Sequence, residues 1–282
     1  MRPFRLIVTS ACAIAGICSF SRASSIDLTF NDLSTGPLAG QGGGTGASGN
    51  WTDPGSAVTQ VISGDLTAPA STHFTVNQGG NPRSVQSPSG TTSSATADYR
   101  TLATPLTGTT WFSFLINPVD GNSRVGIGIN NSGNMGGGQQ RILAVGTGLF
   151  TSAAGATSGT FFTTGTGNLV VGQIISSGGN EQLKVWVNPD VSTFEASTPT
   201  PSYDSGVRAS NGITGTGSVT NLTPISYTSG GTTNGIIDNI LFSNDSNAES
   251  QALAGVVPEP SALALAMVPC LGLLKRRRNT QA

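Results

Sequence analysis

The chain has 282 residues, 13 basic and 14 acidic, for a net charge of −1, and only 10% of its residues are charged. Without residues 1–23 and 257–282 it keeps six basic side chains (Arg83, Arg100, Arg124, Arg141, Lys184, Arg208) against 13 acidic ones, a net charge near −7. That balance excludes a nucleic-acid binder, because phosphate contact needs clustered Lys and Arg. The three cysteines, Cys12, Cys18 and Cys270, all lie in those terminal segments, so the body has neither a disulfide framework nor a thiol nucleophile.

Arg2 and Arg5 precede a mostly apolar stretch over 6–17, and Ser21-Arg22-Ala23 places small residues at the −3 and −1 positions of a cleavage site. This predicts a secretory signal peptide over 1–23, which is left out of fold reasoning. Residues 26–30 alternate as Ile-Asp-Leu-Thr-Phe, the pattern of a half-buried strand. The glycine-rich stretch 36–55 is expected to be a loop; its Gly44-Thr45-Gly46-Ala47-Ser48-Gly49 matches a dinucleotide-binding spacing but lacks the strand before and the helix after. Short strands are expected at 57–62 and 74–76, and a polar, turn-rich segment at 79–97. The strongest strand is 109–116, Thr-Thr-Trp-Phe-Ser-Phe-Leu-Ile, stopped by Asn117-Pro118 and followed by the hairpin signal Asp120-Gly121. Shorter apolar runs follow at 125–129, 142–145 and 161–162. Residues 168–175 and 182–187 read as paired strands around Ser177-Gly178-Gly179-Asn180, with Asn188-Pro189-Asp190 as the stop. The last body strand is 236–242, and a polar linker follows.

No stretch keeps a helical period. Many short strands separated by turns predict an all-β protein, an antiparallel two-sheet β-sandwich over 24–243. One sandwich is favoured over two because the first and last strands could pair and close a sheet.

Residues 257–282 carry Pro258-Glu259-Pro260, then a short apolar run over 261–274, then the basic block Lys275-Arg276-Arg277-Arg278. As a helix the apolar run reaches ~21 Å at about 1.5 Å per residue, short of a bilayer core of about 30 Å. It is a short transmembrane anchor whose four cations stay on the cytoplasmic side. Motif, apolar run and basic block in this order resemble the PEP-CTERM sorting signal of exported bacterial proteins. The resemblance implies an exosortase-like processing enzyme as partner, a transient inner-membrane intermediate, and final residence in the cell envelope or outside the cell. An ordinary tail anchor or a docked C-terminal helix is the alternative. Residues 244–256 are the polar linker to this tail.

Three further stretches, 111–118 (Trp-Phe-Ser-Phe-Leu-Ile-Asn-Pro), 183–190 (Leu-Lys-Val-Trp-Val-Asn-Pro-Asp) and 237–240 (Ile-Asp-Asn-Ile), resemble concanavalin A-like (laminin G-like) jelly-roll domains. The resemblance implies two stacked antiparallel sheets with a face that can hold a glycan, and so extracellular polysaccharide as a partner. It assigns no ligand-binding residue.

The chemistry-bearing residues are few. His73 is the only histidine, which rules out a multi-histidine zinc site. A triad built on it would lack a G-x-S-x-G elbow, and no E-x-D-x-E pair marks a glycosidase. No catalytic residue and no cofactor are therefore expected, and the chain is read as a non-enzyme. Calcium is the one candidate ion, on the oxygen-rich loops 120–122 and 244–249. Trp51, Tyr203 and Tyr227 are placed in loops as surfaces for stacking on sugar rings, and Trp111 and Trp186 in the core. The function expected is that of an exported structural or glycan-contacting envelope component. The alternatives are a carbohydrate-active enzyme and a protein-binding adhesin.

Overall fold

The computed structural model describes residues 25–55, 59–69, 74–76, 82–87, 98–130, 140–151, 155–157, 159–190, 194, 197–209, 212–228, 235–245 and 256–258. The predicted signal peptide, His73 and everything after Pro258, including the predicted tail helix, lie outside them. Among the described residues no helix is long and apolar enough to cross a membrane.

The chain is all-β. Its strands are β1 (Ser25–Leu28), β2 (Gly36–Pro37), β3 (Ala47–Thr52), β4 (Gln60–Ser63), β5 (Phe74–Val76), β6 (Arg83–Gln86), β7 (Tyr99–Thr107), β8 (Thr109–Asn117), β9 (Ser123–Ile129) and β10 (Gln140–Val145). They continue with β11 (Gly148–Thr151), β12 (Gly155–Ala156), β13 (Asn168–Ser177), β14 (Asn180–Val187), β15 (Tyr203–Asp204), β16 (Arg208–Ala209), β17 (Ser218–Thr228), β18 (Ile236–Ser243) and β19 (Val256–Pro258). The larger sheet runs β15-β14-β13-β8-β18-β6-β4-β2, with β16 beside the start of β14 and β1 beside the end of β18. The second runs β12-β11-β10-β9-β17-β7-β3, and β19 forms a separate two-stranded ladder with β5. All these pairings are antiparallel.

The expected closure is present: β1 pairs with β18, Ile26 opposite Phe242 and Leu28 opposite Ile240. The main core lies between the two sheets. Phe112, Phe114 and Ile116 of β8 and Ile240 and Phe242 of β18 meet Ile127 and Ile129 of β9 and Leu222 of β17 in one buried cluster. The alternate residues of β8 are also buried. Trp111 and Leu115 join Leu169, Val171 and Trp186 on the other face of the same sheet, under Leu66 and Phe194. Antiparallel strands usually leave one face wet. Here both are covered, which explains why 111–116 is apolar on both faces apart from buried Ser113.

The β13–β14 hairpin turns where the sequence indicated, with Ser177 opposite Asn180 and Gly178 and Gly179 at φ +58° and +81°. That pair of positive angles is what a tight primed turn needs. Two expectations are corrected. Asp120-Gly121 closes no hairpin, because β8 and β9 belong to different sheets and the segment crosses between them. The segment 36–55 is not simply a loop, because it contains β2 and β3. Its glycine-rich part lies along β1, where Thr45 and Asp27 exchange backbone hydrogen bonds of 2.9 and 3.2 Å. A Cβ on Gly44 would strike the Asp27 carbonyl. Close backbone approach accounts for these glycines, without a phosphate.

Candidate functional site

Three neighbouring strands of the larger sheet end together in asparagine. Asn117 closes β8, Asn168 opens β13, and Asn188 directly follows β14. Between them, the turn at 163–167 and the loop at 64–69 lies a cleft of about 590 Å³. Its lining is mostly amide, hydroxyl and backbone.

Asn168 builds one wall. Fully buried, it accepts from the Thr163 N–H at 3.0 Å and donates to the Thr163 and Thr166 carbonyls at 2.8 and 2.9 Å. It also accepts from Asn188 Nδ2 at 3.1 Å. Asn188, at φ +49°, accepts the Leu169 N–H at 2.8 Å. The left-handed backbone is one that Asn tolerates better than most residues. Gly165 donates to the Pro118 carbonyl at 2.9 Å, tying this turn to the end of β8. Gly167 comes so close to the Thr67 carbonyl that no Cβ would fit.

Asp65 lies at the base of the opposite wall. Burial raises its pKa above the usual carboxylate value, against the opposing pull of the Arg83 backbone and guanidinium. The Arg83 N–H is bonded to Asn31 Oδ1 at 3.0 Å, and neither Asp65 oxygen has a partner at full hydrogen-bonding geometry. Behind it, fully buried Asp238 accepts from the Leu66 N–H at 3.0 Å and the Asn239 N–H at 2.8 Å. Its pKa is pushed well up, first by burial and further by the Asp65 charge, while those two N–H groups pull it down.

The positions singled out in the sequence fall elsewhere. Pro258 ends β19, and Glu259, Pro260, Lys275, Arg276, Arg277 and Arg278 lie outside the described residues. Asp120 Oδ1 accepts from the Asn122 and Ser123 N–H groups at 2.8 and 2.9 Å and from Ser123 Oγ at 3.1 Å. That is a self-contained turn of a kind Asp commonly makes. Asn244 Nδ2 reaches the Thr107 carbonyl at 3.1 Å, and 246–249 are not among the described residues. Among those described, no three His, Cys, Asp or Glu side chains gather where they could hold a metal ion.

Trp111 and Trp186 stack at 5.6 Å inside the second core, as expected. The placement of Trp51, Tyr203 and Tyr227 in loops is corrected, since all three lie in strands, Tyr203 in β15. Trp51 is a β3 residue, 2% exposed, packed on Phe30 at 5.9 Å with the Arg100 guanidinium 5.8 Å above its ring. Tyr227 is a β17 residue, 5% exposed, under Arg124. Tyr203 is half-buried at the sheet edge, its hydroxyl accepting from Thr151 Oγ1. The cleft itself was not anticipated. Its only mark in the sequence is the pair of Asn-Pro strand stops at 117–118 and 188–189.

The fold and cleft define a two-sheet all-β protein with a polar site at its strand ends. No family model matches the chain, and neither does any curated protein. Among solved structures it is similar to an alginate lyase from a Chlorella virus at 9% identity and a TM-score of 0.37, over 61% of this chain and 89% of that one. It is similar to arcelin-5, a lectin-like defence protein from Phaseolus vulgaris, at 11% and 0.37, over 67% and 99%. A carbohydrate-binding module from Bacillus subtilis matches at 9% and 0.33, over 67% and 96%. Scores this low carry no conclusion about the ligand of this chain.

Proposed function

We propose that this is an exported, non-enzymatic protein of the bacterial envelope or extracellular matrix whose sandwich contacts glycan through the cleft beside Asn117, Asn168 and Asn188. The signal peptide takes it across the inner membrane. The tail over 261–274, with its basic block, holds it there for a time, and an exosortase-like enzyme processes it at the PEP-CTERM signal. The body is read as a concanavalin A-like jelly roll.

The observation that carries glycan contact is the chemistry of the cleft. Thr166 and Thr163 are exposed on its rim, Thr67, Asn117 and Asn188 add hydroxyl and amide groups, and Leu66, Ala68 and Pro69 supply an apolar stretch. Hydroxyl and amide groups beside an apolar stretch suit the mixed surface of a neutral sugar. The Arg83 guanidinium offsets the Asp65 charge, which favours an uncharged ligand over a cation. Among the described residues, Asp65 is the one carboxylate lining the cleft. Glycosidic hydrolysis ordinarily uses two flanking the bond, and this supports a binding role over catalysis.

The test is retention of the purified body in native gels cast with neutral polysaccharides, beside the variant Thr166→Trp, which fills the rim of the cleft. Retardation of the parent by at least one polysaccharide, lost in the variant with an unchanged melting curve, is expected. Equal mobility of both proteins on every polysaccharide would refute glycan contact at this site.

A further inference from the structure

The two walls of the cleft differ in chemistry, and each is tied to a strand. One wall is the loop at 64–69. Its Leu66 N–H donates to fully buried Asp238 of β18 at 3.0 Å, and Ala68 packs on the second core beside Leu66. Ala68 and Pro69 carry the apolar stretch of this wall into the cleft. The other wall is the turn at 163–167, which is polar. Asn168 holds it from inside through Thr163 and Thr166, and the Gly165 N–H donates to the Pro118 carbonyl at 2.9 Å. The walls meet where Gly167 touches the Thr67 carbonyl. That contact is backbone on backbone, so no side chain can swing aside to change the spacing.

An apolar wall held in this way selects by exclusion. A hydroxyl pressed against it loses its water and gains no partner, which weakens binding by about tenfold or more. An equatorial hydroxyl on a pyranose ring escapes that penalty, because it points along the edge of the ring and leaves the face to C–H groups. An axial hydroxyl stands out from the face and meets the wall. We propose that the cleft selects neutral pyranose residues whose hydroxyls are all equatorial, with a C–H face resting on Ala68 and Pro69, and that Ala68 is the specificity-determining residue. This rests on the glycan reading above and names the class of sugar for the same cleft. The hydroxyls at the edge of the ring are served by the polar groups around it, Thr163, Thr166 and Asn188 among them.

The test is calorimetric titration of the purified protein with cellohexaose, laminarihexaose and mannohexaose. Cellohexaose and laminarihexaose are equatorial throughout and differ in linkage, whereas mannohexaose carries an axial 2-hydroxyl on every residue. At least one equatorial hexaose should bind about tenfold more tightly than mannohexaose, or better. Ala68→Ser gives an axial hydroxyl a partner on the wall, so in that variant the preference should fall to about threefold or less with an unchanged melting curve. Mannohexaose binding as tightly as the equatorial hexaoses, or a preference unchanged in Ala68→Ser, would overturn this inference and leave glycan contact standing. So would binding of none of the three by a protein that a polysaccharide gel retains and that Thr166→Trp releases. Retention by no polysaccharide at all would overturn both readings.

Discussion

The ring of Phe112 on β8 lies against the backbone of Gly172, its register partner on β13, closely enough that a Cβ there would overlap three ring carbons. Gly172 has no unusual φ, so the constraint is space alone. The ring sits at the centre of the core, stacked on Phe242 at 5.2 Å and near Phe114 at 6.0 Å. Gly172→Ala should therefore cost about 1–3 kcal/mol by overpacking, although alanine ordinarily favours folded chains over glycine. Urea denaturation checks it. In a Phe112→Ala background the same change should cost far less, and an equal penalty in both backgrounds would show that the ring is not the cause.

Asp98 gives the fold a specific pH dependence. It is 1% exposed, and its pKa is raised to about 7, first by burial and then by the Asp53 charge. The neighbouring Thr59 hydroxyl stands outside full hydrogen-bonding geometry and relieves it only in part. The folded pKa exceeds the unfolded one, so between about pH 4 and pH 7 the folded state holds a proton that the unfolded state has lost. The Asp98 contribution to stability therefore falls as pH rises through that window. Asp98→Asn should be more stable than the parent at pH 8, and the gap should close near pH 4. Denaturation at the two pH values decides it, and a gap that does not change with pH would show that Asp98 does not titrate as argued.

Phe194 holds the second core shut. It packs edge-on against Trp186 at 5.1 Å and Trp111 at 6.0 Å, and Trp186 Nε1 donates to the Pro199 carbonyl at 2.8 Å. Phe194→Ala should cost about 3–5 kcal/mol and shift the tryptophan emission to the red as water reaches the stacked rings. Unshifted emission would mean that the segment covers the pair without this side chain.

Glu181 is a buried carboxylate with a structural role. It accepts the Ile213 and Thr214 N–H groups at 2.7 and 2.8 Å, the Thr214 hydroxyl, and Ser176 Oγ at 3.1 Å. Glu181→Gln puts an amide donor where only acceptors fit, and should cost about 1–3 kcal/mol. Faster hydrogen exchange at Ile213 and Thr214 would locate the loss, and protection equal to the parent would count against it.

The sequence shows β8, the β13–β14 hairpin and the closing strand β18 because local signals agree there: aromatic and β-branched runs, two glycines able to take positive φ, and Asn-Pro stops. It hides β7 and β17. Both contain proline, Pro105 and Pro224, which reads against a strand interior. The structure tolerates each where its ladder is interrupted. Pro105 lies within the register shift between β7 and β17, and Pro224 pairs with Ile127 of β9 beyond the end of its pairing with β7. Trp51 was misplaced because its surrounding glycines suggest a loop, whereas close approach to β1 explains several of them. The cleft could not be read locally, since it joins residues that only the sheet order brings together.

The pairing of β1 with β18 also sets an order of events. A chain that emerges N-terminus first, from a ribosome or a membrane pore, presents Ile26 and Leu28 long before Ile240 and Phe242 exist to receive them. The larger sheet cannot seal until nearly the whole body has emerged, and contacts this distant in sequence form slowly. Until then the leading strand has an unsatisfied edge and needs a holding partner or rapid passage. The last body strand to appear is the one that locks the first in place.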